Sequence, residues 1–224
     1  MQLVGLSALE YDEKYYQEHK DAELDYLGHG YWQEQYAKMV SKGLPQDAIV
    51  FDAGCACGSI LQGFKKLGFK VKGLDLSQYM VELGKSHFGY ADDELLCGSL
   101  TDIPLPSNSV DLVHSAQVLE HIPQEPMTQI IAELERILKP GGKAFLCLDA
   151  IRQGETKEMY MGDPTHVNIQ PIEYWTKILQ KHNLLFDIQG YNDFVRSEYG
   201  PTQGNSSNFF EHYPYWSVFT LIKE

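Results

Sequence analysis

The segment Val50-Phe51-Asp52-Ala53-Gly54-Cys55-Ala56-Cys57-Gly58 sets a carboxylate at the end of an apolar run, with two glycines following it. Lacking a Cβ, Gly54 and Gly58 allow a tight turn and a close approach of backbone to a ligand. Loops that cradle phosphates present amide N–H groups and do not aim an acid at the anion. Asp52 therefore suits a ligand with a cationic group, such as an ammonium or a sulfonium, met directly or through water. Asp75 closes a second apolar run, Gly73-Leu74-Asp75, 23 residues after Asp52. Its two oxygens suit the vicinal hydroxyls of a ribose, a spacing that dinucleotide enzymes share.

The elements that must hold these acids alternate. Ala48 to Asp52 is expected to be a strand, followed by a helix bearing Ile60, Leu61, Phe64 and Leu67 on one face. Val71 to Asp75 reads as a second strand, and Ser77 caps a helix carrying Met80, Val81, Leu83 and Phe88. Leu95 to Cys97 and Val110 to Ser115 are the third and fourth strands. Met127, Ile130, Ile131, Leu134 and Ile137 form an amphipathic stripe that ends at Lys139-Pro140-Gly141-Gly142, and Lys143 to Asp149 is the fifth strand. Ile172 to Leu179 is a helix and Leu184 to Ile188 a strand. An irregular stretch then runs from Tyr191 to Tyr215, before a last strand from Trp216 to Ile222. Repeated strand–helix units imply a mostly parallel sheet covered on both faces. Ligands of such sheets bind at the carboxyl ends of the strands.

Four blocks within residues 45–150 carry a family resemblance. They are Asp52 to Gly58; Gly73-Leu74-Asp75-Leu76-Ser77; Gly98 to Pro106 running into Val110-Asp111-Leu112-Val113-His114-Ser115; and Val118-Leu119-Glu120-His121-Ile122 followed by Leu138-Lys139-Pro140-Gly141-Gly142. Together they resemble the class I S-adenosylmethionine-dependent methyltransferases, in particular the small-molecule branch that includes ubiquinone-biosynthesis-type enzymes. The resemblance implies a Rossmann-like three-layer α/β sandwich, with a seven-stranded, mostly parallel sheet and an antiparallel last strand. It implies S-adenosylmethionine as cofactor, lying across Asp52, Gly54, Cys55 and Gly58 with its ribose on Asp75. Adenine would sit by Leu76, Ser99 and Leu100, and the methionine end near Ala116 and Gln117. Two departures stand out: Ala56 replaces a usual glycine, and Ser99 replaces an acid that many relatives set beside the adenine amino group.

Methyl transfer is an in-line displacement from an activated sulfonium, so alignment and exclusion of water supply most of the acceleration and a base is optional. His166, in Asp163-Pro164-Thr165-His166-Val167 after the fifth strand, is the first candidate base; the alternative is a structural histidine that fixes its loop. His121, beside Glu120 after the fourth strand, is the second, with a structural or cofactor-side role as its alternative. The resemblance suggests that Glu120 and His121 could bind a divalent ion, but the further carboxylates such a site would want are missing from Ile122-Pro123-Gln124, although Glu125 follows, and no required metal is expected. Arg152, Tyr160, Arg196 and Tyr199 fall in loops expected to surround the acceptor, with Tyr16 from the N-terminal segment. An arginine there would favour an anionic acceptor.

Residues 1–46 stand outside the alternation and are rich in aromatics, among them Tyr11, Tyr15, Tyr16, Tyr26, Tyr31, Trp32 and Tyr36. They read as a helical cap or lid ahead of a methyltransferase domain at 47–224, or as helices packing rings on the sheet. The 224 residues carry 31 acids against 18 bases, a net charge of -13. This argues against a phosphate-backbone partner, which requires clustered Lys and Arg. No apolar run is long enough for a membrane span. Met1 to Glu10 lacks a secretory signal, and Cys55, Cys57, Cys97 and Cys147 read as reduced, so the protein is expected in the cytoplasm. The acceptor is expected to be an oxygen or nitrogen of a small, anionic metabolite. The alternatives are a protein methyltransferase and a catalytically silent, cofactor-binding partner subunit. Against a nicotinamide-dependent oxidoreductase stand the absence of Gly-x-Gly-x-x-Gly, Gly54 and Gly58 being four apart, and the Leu138-Lys139-Pro140-Gly141-Gly142 turn. Oligomeric state is open.

Overall fold

In the computed structural model, which describes residues 14, 31–160, 165–195 and 216–224, strands and helices alternate through most of the chain. The strands are β1 (Ile49–Ala53), β2 (Lys70–Asp75), β3 (Leu95–Cys97), β4 (Val110–Ala116), β5 (Leu138–Ile151), β6 (Gln170–Pro171), β7 (Leu184–Phe186) and β8 (Trp216–Lys223). The helices are α1 (Tyr31–Val40), α2 (Ser59–Lys66), α3 (Gln78–Phe88), α4 (Met127–Ile137), α5 (Ile172–Leu179) and α6 (Ile188–Val195). The sheet runs β3–β2–β1–β4–β5–β8–β7, and the two-residue β6 attaches to β5 off this path. β1 to β5 pair in parallel, whereas β8 lies antiparallel to both β5 and β7. This is the expected Rossmann-like sandwich, with its antiparallel last strand.

Alternation along the strands sorts side chains into two helix-covered faces. From β5, Ala144, Leu146 and Leu148 join Ile130 and Leu134 of α4 and Trp175 of α5. Phe145 and Cys147 point the other way, to Tyr36 and Val40 of α1 and Leu61 and Phe64 of α2. Each such apolar side chain, once buried, contributes roughly 1.5–3 kcal/mol. α1 lies close on α2: a Cβ at Gly63 would sit 2.1 Å from the Gln33 carbonyl oxygen. The helix from residues 31–40 therefore belongs to one of the two outer layers.

Local chemistry sets the ends. The Ser77 side chain accepts from the Met80 N–H and caps α3, and Gly89 closes that helix at φ 70°. α4 stops at Ile137, and the strand begins at once, five residues earlier than the pattern suggested. Val110 pairs with Leu138 but Leu112 with Lys143. Pro140, Gly141 and Gly142 therefore bulge out of a strand already under way. A second correction concerns residues 188–195, which form α6 where an extended end and then an irregular stretch were expected. The Asp187 carboxylate accepts from the Gly190 N–H at 2.8 Å, an N-cap that turns the chain out of β7 after three residues. Among the described residues no helix is long and apolar enough to cross a membrane.

Candidate active site

The parallel strands deliver their carboxyl ends to one edge, and the strand order reverses between β1 and β4, the place where open α/β sheets bind ligands. Asp75 ends β2 there. Its Oδ2 accepts from the Ala56 N–H at 2.7 Å and its Oδ1 from the Ser77 N–H at 2.8 Å. Each carboxylate oxygen keeps a further lone pair for a ribose hydroxyl. Burial raises the Asp75 pKa, against those two amides, which lower it. Gly54 holds φ 76°, and a Cβ there would lie 2.4 Å from Val118 Cγ2. Gly58 holds φ 78°, and its added Cβ would meet the Tyr90 ring at 2.8 Å. A diol-accepting acid at the end of β2, beside a loop that two glycines hold at left-handed φ, fits the cofactor implied by the resemblance.

Ala56 and Gln117 adopt φ of 47° and 57°, a region that disfavours residues with a Cβ. Ala56 therefore occupies a conformation made for the glycine it replaces. Cys55 is buried, which raises its thiol pKa well above the ordinary value and keeps it inert. Leu76 is half-buried, Leu100 buried and Ser99 exposed. The Ser99 hydroxyl lies 2.8 Å from that of Thr101. Asp52 departs from the simple expectation. Its Oδ1 lies 2.7 Å from His114 Nδ1, inside the face covered by α1 and α2.

Beyond β4 lies a second cluster. His166 Nδ1 lies 3.0 Å from the Tyr160 carbonyl oxygen and 3.6 Å from Asp149 Oδ2. Those acceptors require the proton on Nδ1, so a neutral His166 carries its lone pair on Nε2. His121 packs edge-on against His166, centroids 4.7 Å apart, and its Nδ1 lies 2.8 Å from the Thr165 hydroxyl. Glu120 is fully buried, and its Oε1 accepts from the Asp149 N–H at 3.2 Å. Burial, with the Asp149 charge adding, pushes its pKa up to about 8. Its Oε2 and the side-chain amide of buried Asn168 have no hydrogen-bond partner among the described residues.

Glu120, His121 and His166 each offer a ligand atom, and those atoms all lie within 4.8 Å of one another. Such a carboxylate–imidazole set suits a divalent cation. The sequence shows only the Glu120-His121 half of it. His166 arrives from another loop.

Arg152 and Tyr160, expected to face an acceptor, are drawn together by Glu155. That carboxylate accepts from the Arg152 N–H and guanidinium at 2.8 Å each, and from the Tyr160 hydroxyl. Tyr160 also donates to the Ala150 carbonyl at 3.0 Å, and its hydroxyl pKa rises to about 12, chiefly through burial. Tyr16, Arg196 and Tyr199 lie outside the described residues. The polar groups that sequence reasoning missed are His114, Asp149 and Asn168. An acid in a strand's last turns, as at Asp149, is a signal a reader can use; nothing local marks the other two.

Comparison with known proteins agrees with this geometry. Residues 51–146 match a family described as "Methyltransferase domain". The chain is similar to the demethylmenaquinone methyltransferase of Symbiobacterium thermophilum, 31% identical over 142 residues, which are 59% of this chain and 55% of that protein. It is 32% identical over 111 residues to the malonyl-[acyl-carrier protein] O-methyltransferase of Yersinia pestis, covering 50% of this chain and 39% of that protein. The chain thus spans about half or less of the length of these curated relatives. Among solved structures it resembles a TehB-like SAM-dependent methyltransferase from Corynebacterium glutamicum, with a TM-score of 0.65 at 19% identity over 95% of this chain and 97% of that one. That last likeness bears on the fold.

Proposed function

The chain carries a class I S-adenosylmethionine-dependent methyltransferase domain, and from that premise we propose that the protein methylates an oxygen or nitrogen of a small, anionic metabolite. The observation that carries this reading is His166, whose Nδ1 is held by the Tyr160 carbonyl so that Nε2 is the basic nitrogen. When bound, S-adenosylmethionine supplies a methyl group already activated on sulfur. Asp52, Gly54, Cys55 and Gly58 would line the cofactor, Asp75 would hold its ribose, Leu76, Ser99 and Leu100 would flank the adenine, and Ala116 and Gln117 would lie near the methionine end. With the methyl donor bound, His166 Nε2 would hold the proton that the acceptor gives up, and His121 would fix the ring that does so. Arg152 and Tyr160, with Tyr16, Arg196 and Tyr199, are assigned to the acceptor side of the domain at 47–224, and of the cap expected from residues 1–46 only the part ahead of α1 is retained, since α1 packs on α2.

The name of the Yersinia pestis relative, an O-methyltransferase, supports an oxygen acceptor. The net charge of -13 supports a protein without a nucleic-acid partner. No metal is required on this reading, since His166 alone takes the proton. Titration calorimetry with S-adenosylmethionine, its demethylated product and NADH tests the cofactor. Binding of the first two is expected and of NADH is not, and Asp75→Ala weakens binding by roughly 100-fold through two lost charge-assisted hydrogen bonds. No binding of either sulfur ligand would sink the reading. Binding without methyl transfer to any small molecule or protein would leave a silent partner subunit.

A further inference from the structure

Asp52, His114 and Tyr36 form a buried line leading from the cofactor edge into the helix layer. Asp52 and His114 are neighbours in register on β1 and β4. Alternation turns both to the face that holds Val50 and Leu112, beneath α1 and α2. His114 Nδ1 lies 2.7 Å from Asp52 Oδ1, and Nε2 lies 2.9 Å from the Tyr36 hydroxyl. All three side chains are buried, His114 completely. Phe145 stacks on the imidazole with planes 13° apart, so the ring cannot turn without moving the core.

The direction of donation follows from the groups. An ionised carboxylate only accepts, so His114 Nδ1 carries the proton and donates to Asp52. In the neutral ring Nε2 then accepts from Tyr36, whose hydroxyl burial keeps protonated. Tyr36 sits on α1, which is also pressed onto α2 through Gln33 and Gly63. α2 begins at Ser59, directly after the Gly54–Gly58 loop. α1 thus grips the loop at both ends, at Asp52 through His114 and at Gly58 through α2.

We propose that Tyr36 and His114 are positioning residues for the cofactor loop, which makes α1 part of the cofactor-binding unit although it lies behind the sheet. This rests on the S-adenosylmethionine reading. An apolar side chain would fill the same space without needing a carboxylate on one side and a hydroxyl on the other. Removing the hydroxyl leaves the buried Nε2 without its partner, which weakens the imidazole's hold on the Asp52 carboxylate.

The test is a double-mutant cycle on S-adenosylmethionine affinity, using Tyr36→Phe, Asp52→Asn and the pair, with thermal melting alongside. Tyr36→Phe keeps the ring that fills the core, so it should fold, and it should weaken binding by about 10-fold. In the Asp52→Asn background the same change should alter binding by less than about twofold, because the line is already cut. His114→Leu should weaken binding by more than about 10-fold, as it strands a buried carboxylate. Tyr36→Phe with unchanged affinity, or with the same loss in both backgrounds, would overturn the proposal. Wild-type protein that binds no sulfur ligand would remove the cofactor reading and this inference together, an outcome plainly different from a wild type that binds and a Tyr36→Phe that binds equally well.

Discussion

The two sides of β4 handle polar groups in opposite ways. On the cofactor side the acids and the loop backbone are satisfied within the protein, while the side-chain nitrogen of Gln117 is buried without a partner among the described residues. Asp75 takes two backbone amides, Asp52 takes His114, and the Gly54 N–H reaches the Leu74 carbonyl at 2.8 Å. On the acceptor side Glu120 Oε2 and both ends of the Asn168 amide are buried with no protein partner among the described residues. Each such group costs about 1–3 kcal/mol until a ligand or water meets it. One side is built in advance for a ligand of fixed structure. The other keeps unmet demand for whatever is to be methylated.

The comparison breaks most sharply at His166. His166→Gln should lower kcat by about 10³-fold while leaving S-adenosylmethionine affinity unchanged. A fall of less than about threefold would leave alignment alone as the source of rate and make the histidine a loop anchor. Next comes Glu120. Folded, it holds its proton up to about pH 8; unfolded, it releases it near the ordinary value of 4.5. The unfolded chain therefore binds fewer protons across that interval, and stability falls as pH rises from 4.5 to about 8, then levels off. In chelator-treated protein, Glu120→Gln should flatten the melting-temperature profile and stabilise the fold at pH 8 by about 3 kcal/mol. A parallel profile in the variant would show that the slope comes from other groups.

On the built side, Gly54→Ala should cost about 2 kcal/mol in stability, from the left-handed φ and the clash with Val118, and should abolish cofactor binding. Unaltered binding would mean that the cofactor does not pass over this backbone. The smallest effect is expected at Ala56. Ala56→Gly relieves the left-handed strain but loosens the unfolded chain, for a net gain of about 0.5 kcal/mol and a slightly tighter cofactor complex. Calorimetry of the two proteins side by side decides its sign.

The cofactor half was legible because its signals are local. Asp52, Gly54, Gly58 and Asp75 sit at strand ends that apolar runs mark, and Ser77 caps α3 as its type suggests. The strands and α4 were legible for the same reason. What escaped is of two kinds. Asp187 is a plain N-cap for α6, but the apolar run through Ile188 hid it behind a strand reading. The lines Tyr36–His114–Asp52 and His121–His166 join residues tens of positions apart. No periodicity announces such a pairing, since each histidine taken singly looks like an ordinary strand or loop residue. Only the register of β1 with β4, and the closure of the loop after β5, bring them together.

The position of β8 also bears on how the molecule assembles. β8 lies between β5 and β7, and among the described residues β7 has no other neighbour in the sheet. The first five strands pair with partners already made, so that half can form while the chain is still being synthesised. β7 must wait with its edge open until residues 216–223 have emerged and slotted in beside β5. During that interval Leu185 and Phe186, still half-exposed in the finished fold, offer an apolar edge to any passing strand. The time of greatest hazard for this protein is therefore the synthesis of the residues between β7 and β8, and slowing it should cost yield before it costs activity.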